Sequence, residues 1–117
     1  MKLTILGEMV SLNEYIKAER TNKFMAAKIK KEETEQVYWA CKEQKLKKIT
    51  EPITEILIDW YTKNDRKDAD NVFFACKFIL DGMVLAGVLP DDGRKYINAI
   101  SHRAYVDKNE RIEIEIL

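Results

Sequence analysis

Between residues 65 and 92 the chain gathers groups that could act together: Asp65, Asp68 and Asp70, then Lys77 and Asp81, then Asp91 and Asp92. Mg²⁺ takes hard oxygen ligands and keeps several of its waters, so two or three converging carboxylates suffice to hold it. Asp68 and Asp70 lie two apart where a helix is expected to begin, and both can point at one ion. If the "LPDDG" loop folds back along that helix, Asp91 or Asp92 supplies a third carboxylate. A lysine one or two turns along can then meet a phosphate oxygen or stabilise developing charge. Such a set suits phosphodiester hydrolysis.

The same residues admit a plainer account. Asp68 or Asp70 caps the helix, the other favours its dipole, and Lys77 with Asp81 forms an i,i+4 pair. One cap explains one aspartate. It does not explain D-x-D, a lysine on an otherwise apolar helix, and a D-D pair beyond that helix.

The positioning elements follow from periodicity. "KLTILGE" alternates as a first strand, and "MVSLNEYIKAERTN" reads as irregular and polar. Residues 22–48 lack Gly and Pro and read as a long, solvated helix, interrupted near "KKEET". "EPITEILIDWYTK" is β-branched and aromatic, hence a strand. A helix is expected from Asp68–Asp70 to Ala86, with Gly87 as its stop. On it Asp70, Phe74, Lys77 and Asp81 share one stripe, and the apolar remainder makes the helix a candidate dimer interface. "YINAISHRAYV" and "RIEIEIL" read as a C-terminal hairpin turned by "DKNE". In its second strand Ile112, Ile114 and Ile116 face one way, Glu113 and Glu115 the other. The order β-α-β-α-β-β implies an α/β (α+β) fold, a small mixed sheet packed with two main helices, as a single domain over 1–117.

Composition narrows the class. The 117 residues are 46% hydrophobic and 34% charged, a globular rather than disordered balance. No apolar run approaches the roughly 20 residues of a membrane span, and the N-terminal run is too short for a signal peptide; a cytoplasmic protein with no membrane partner is expected. Cys41 and Cys76 share no metal-binding spacing, and His102 is the only histidine, which argues against a Cys/His zinc site. Cys76 is expected to be a small core residue. Twenty Lys and Arg balance twenty Asp and Glu, so a nucleic-acid partner would need a locally basic face.

The segment "DADNVFFACKFILDGMVLAGVLPDD" resembles the RusA family of Holliday junction resolvases, small endonucleases common in phages and prophages. The family signature is D-x-D-N, then K-x-x-x-D, then a D-D pair before a strand. Here these are Asp68-Ala69-Asp70-Asn71, Lys77 with Asp81, and Asp91-Asp92. Arg66-Lys67 matches the family's basic approach to the first aspartate, and "SLNEY" looks like a variant of its early polar P-S-x-N loop. The likeness is specific over residues 64–97 and compatible in element order over the rest. It implies a homodimer, in a bacterial host cell, that binds four-way junction DNA and nicks two strands symmetrically in recombination and repair. The implied cofactor is Mg²⁺, with Mn²⁺ as a substitute. Asp68, Asp70 and Asp92 would hold the metal, with Asp91 as second choice for the last, and Lys77 would act near the scissile phosphate. Arg66, Lys67, Arg94, Lys95 and Arg103 are the expected DNA-backbone contacts.

Two other readings compete. A DxD-type phosphotransferase wants its aspartate at a strand end, followed by a small residue and threonine, whereas "NDRK" intervenes here and Asn71-Val72 follows. A non-catalytic DNA-binding or phage accessory protein has no use for an acid-lined polar stripe. His102 lies far in sequence from the aspartates and is not needed as a base. Trp39 and Trp60 suit core or interface packing better than base stacking.

Overall fold

The computed structural model describes residues 1–117. Eight elements follow in order: β1 (Lys2–Leu6), α1 (Leu12–Thr21), α2 (Lys23–Glu43), β2 (Ile56–Thr62), α3 (Ala69–Phe73), α4 (Cys76–Leu85), β3 (Ile100–Val106) and β4 (Arg111–Ile116). The strands form one mixed sheet in the order β1-β4-β2-β3. This is the expected α+β architecture, with three differences in the helices and one in the sheet.

The sheet difference is the larger. The stretches read as a C-terminal hairpin do not pair. β3 runs parallel to β2 at the edge, and β4 crosses to lie antiparallel between β2 and β1. Side-chain pattern decides this. Ile112, Ile114 and Ile116 all need burial, and a strand between two others has apolar neighbours on both sides. Its register sets them against Leu3 and Ile5 of β1 and against Ile56, Ile58 and Trp60 of β2, nearly all of them fully buried. β3 has no such alternation, and Arg103, Ala104, Tyr105 and Val106 are exposed. A sheet edge accepts it.

The segment expected to be irregular, residues 9–22, contains α1. Ser11 is its N-cap in a capping box: the Ser11 hydroxyl accepts from the Glu14 N–H, and the Glu14 carboxylate accepts from the Ser11 N–H at 3.3 Å. The S-x-x-E signature was present in "SLNE". α2 runs unbroken through "KKEET". The expected helix over 68–86 is instead two helices, α3 and α4, parted at Phe74 and Ala75. The break lets Phe74 turn inward onto Tyr15, 5.2 Å between ring centroids, and onto Phe78 at 5.7 Å. The Asp70–Phe74–Lys77–Asp81 stripe is therefore not one solvent-facing line.

The helices lie on one face of the sheet. α2 covers the Gly82 side of α4, the helix expected above as a dimer surface, and leaves Val84 and Leu85 exposed. The two cross at Gly82, where an added Cβ would lie 2.6 Å from Val37 Cγ1 and 2.8 Å from the Thr34 carbonyl oxygen. The other face of the sheet is open and polar. There Arg103 grips Asp59 with two bonds of 2.7 and 2.9 Å, Tyr61 stacks on Tyr105, and the Arg111 guanidinium lies 3.8 Å from the centre of the Tyr61 ring.

Because the Gly82 contact is with backbone and a β-branched side chain, Gly82→Ala forces the helices apart. It should cost about 1–3 kcal/mol in urea unfolding. A midpoint equal to that of the wild type would show that the crossing tolerates a side chain.

Candidate functional site

The chain leaves β2 at Thr62 and reaches α3 through a loop bearing Asp65, Arg66, Lys67 and Asp68, all exposed. Asp68 is the N-cap of α3 by position, yet its carboxylate makes no capping bond. Asp70 lies in the first turn, exposed. The plainer account, with an aspartate spent on capping, is thus not what the loop does. Asn71, the last residue of D-x-D-N, has a different task. It is buried, and its side-chain oxygen accepts from the Asn13 N–H at 2.9 Å, which ties α1 to α3.

Lys77 is exposed on α4 and pairs with Asp81 at 3.6 Å, the i,i+4 contact that the spacing allows. An exposed pair of this kind contributes little stability and leaves the lysine free to exchange partners. Asp91 folds its carboxylate onto its own loop, accepting from the Asp92 N–H at 2.8 Å. Asp92 has no such task and stays exposed, which favours it over Asp91 as a ligand.

The two halves of the set lie apart. β2 and β3 are parallel, and Asp68 and Asp70 follow the end where β2 finishes. Asp91 and Asp92 precede the end where β3 begins, beside the bridge between Ile53 and Ile97. A seven-residue strand is about 20 Å long. The loop after α4 does not fold back to Asp70; Val88 is buried and its carbonyl accepts from the Ile49 N–H. No three Asp, Glu, Cys or His side chains gather closely enough within one chain to hold a metal ion.

The basic candidates divide as well. Lys67 bonds to Glu8 at 2.6 Å and to Glu14 at 3.4 Å. The Glu8 bond, reinforced by the charge of both carboxylates, raises its pKa above the ordinary lysine value. Arg103 is held by Asp59 on the open sheet face. Arg66, Arg94 and Lys95 are exposed and enter no ion pair.

Trp60 is a core residue, as expected, and its indole N–H donates to His102 Nδ1 at 3.1 Å. His102 stacks on Phe73, 4.9 Å between centroids, and burial lowers its pKa. With Nδ1 bonded to Trp60 and its ring stacked on Phe73, His102 anchors α3 to β3. Trp39 is 59% exposed on α2. Burial pushes the Cys41 and Cys76 thiols up to about 11, which suits packing rather than reactivity.

One acidic cluster was not singled out from the sequence. Glu8, Glu14, Glu32 and Glu33 line a shallow cavity of about 280 Å³ between the β1–α1 loop and α2. Spacing gives no sign of it, since the residues come from separate elements.

No known family model matches the chain, and no curated protein matches it in sequence.

Glu33 is the strained member of that cluster. One of its carboxylate oxygens is buried without a partner, and burial, then the charges of Glu14 and Glu32, raise its pKa from the ordinary 4.5. A carboxyl raised on folding favours the native state fully below its unfolded pKa and loses that contribution as pH rises through the folded one. Glu33→Gln should therefore raise the melting temperature at pH 7, with the gain fading as pH falls through the raised native pKa towards 4.5 and gone below it. A pH-independent gain would mean that the charge is not the cause.

Proposed function

We propose that the chain is a metal-dependent endodeoxyribonuclease that resolves four-way DNA junctions as a homodimer. The observation that carries this reading is the state of the motif aspartates. Asp68, Asp70 and Asp92 are exposed and free of intrachain ion pairs, while Glu8, Glu14, Asp59 and Glu110 are engaged by Lys67, Arg103 and Lys63. Free carboxylates at fixed places on a folded frame are what a hydrated Mg²⁺ or Mn²⁺ requires. The D-x-D-N, K-x-x-x-D and D-D likeness described above points the same way.

Asp68 and Asp70 would hold such an ion as a pair, while Asp92 of the same chain belongs to the opposite end of the parallel β2–β3 pair. On this reading two copies complete the three-carboxylate set, with the Asp68–Asp70 end of one facing the Asp91–Asp92 end of the other. Two-fold symmetry then gives two equivalent sites, matched to a substrate that is cut twice. When bound, the ion supplies charge neutralisation at the scissile phosphate and lowers the pKa of an attacking water. Lys77 exchanges Asp81 for a phosphate oxygen and balances the charge that grows as the P–O bond breaks. Arg66, Arg94 and Lys95 hold the backbone against the repulsion of the acidic ends.

Nicking of an immobile four-way junction with Mg²⁺ tests the reading. Asp70→Asn and Asp92→Asn should each lower the rate at least about a hundredfold. A mixed dimer, one subunit carrying each change, should regain activity, because one of its two sites draws both wild-type ends. Failure of the mixed dimer places the ligands within single chains. Junction binding by the wild type without nicking under either ion would favour a non-catalytic DNA-binding protein.

A further inference from the structure

The two outer edges of the sheet differ. On β1, the residues turned away from β4 are Lys2, Thr4 and Leu6. The side chain of Gln44, the C-cap of α2, accepts from the Thr4 N–H at 2.9 Å and donates to the Thr4 carbonyl at 2.6 Å. Gln36 donates to the Leu6 carbonyl at 3.3 Å. A helix thus supplies amide groups where another strand would otherwise bond.

On β3 nothing comparable occurs. The Ile56 N–H donates to the Ala99 carbonyl, and the Asp107 N–H donates to the Thr62 carbonyl. In a regular parallel ladder these bonds assign the odd-numbered residues of β3 to β2. Ile100, His102, Ala104 and Val106 turn their N–H and C=O groups outward, and no backbone group or side chain of the chain bonds to them. The side chains beside this edge are apolar and open: Tyr105 is 41% and Val106 60% exposed. Bare backbone groups beside open apolar side chains are a template for another strand.

We infer that β3 pairs antiparallel with β3 of a second copy, joining two four-stranded sheets into one. The seven-residue strand is self-complementary about Arg103. In that register Ile100 lies opposite Val106 and His102 opposite Ala104, so every outward group finds a partner. The two Arg103 side chains face each other on the open sheet face, each already neutralised by Asp59. Charge favours the same arrangement at the ends. The unpaired Arg94 and Lys95 precede β3, while the unpaired Asp68 and Asp70 belong to the end where β3 finishes. Antiparallel pairing lays one set alongside the other. This deepens the proposed reading and rests on it for what the dimer does; the pairing itself needs no nuclease activity.

Proline at residue 104 tests it. The Ala104 N–H points outward, so Ala104→Pro removes an intermolecular donor and spares the β2–β3 ladder. Sedimentation equilibrium should give twice the chain mass for the wild type and the chain mass for Ala104→Pro, with unchanged far-ultraviolet circular dichroism. A dimeric, folded Ala104→Pro would overturn the inference and leave the nuclease reading standing, as would a wild type that stays monomeric at high concentration overturn both this inference and the dimer of that reading. Should the proline variant fail to fold, Arg103→Cys decides. Facing residues in a non-hydrogen-bonded antiparallel pair have Cα atoms about 4.5 Å apart, within reach of a disulfide. Mild oxidation should cross-link Arg103→Cys into dimers and not the wild type, whose own cysteines are Cys41 and Cys76. No cross-link would overturn the inference.

Discussion

The fold depends on β4 lying between β1 and β2. Without it, β1 has no strand partner and the β2–β3 pair has no connection to it. With it, the isoleucines at 112, 114 and 116 close a continuous apolar layer from Leu3 to Trp60, and the C-terminal end of the strand is fixed on both sides, the Ile116 N–H donating to the Met1 carbonyl and the Leu117 N–H to the Glu55 carbonyl. Each isoleucine buried in this way contributes on the order of 1.5–3 kcal/mol. The glutamates between them cost nothing because they stay on the open face. The exile of β3 to the edge follows from the same requirement.

On that layer the helices settle by shape. Gly82 removes the side chain that would hold α4 away from α2, and the close crossing buries Val37, Phe78, Ile79 and Met83 together. With α2 already over α4, α3 is attached through Asn71, whose side chain accepts from the Asn13 N–H, and through Phe73, which rests on the hydrogen-bonded Trp60–His102 pair. These fix the start of α3 where the motif aspartates lie. A carboxylate pair on such a short helix is ordered by its neighbours rather than by the helix itself.

Much of this was legible beforehand in particular residues. The strict alternation of β4 gave its strand and its buried face, and the β-branched run at 56–62 gave β2. The pairing of β3 was not legible. A four-residue connection between two strands ordinarily means a hairpin, and only the competition between β3 and β2 for the apolar side of β4 overrides that. α1 was legible in "SLNE", but the many charged and polar residues of 12–21 hid it. The division of α3 from α4 had no local mark, since neither Gly nor Pro occurs there; it coincides with the packing of Phe74 against Tyr15 and Phe78. The motif aspartates could be picked out by type and spacing, and so could Lys77 with Asp81. Their separation into two ends could not, because it is set by the direction of β3 relative to β2.

The glutamines over β1 bear on how many copies can come together. A sheet with two bare edges can add a neighbour on each side and grow into a ribbon without limit. Gln44 and Gln36 withdraw one edge from that process, so strand addition is left with a single place to occur. Two molecules that meet there consume each other's only opening, and the assembly stops at a pair. Two amide side chains would thus set a finite stoichiometry for strand addition, and a change that freed the Thr4 backbone would open a second edge to it.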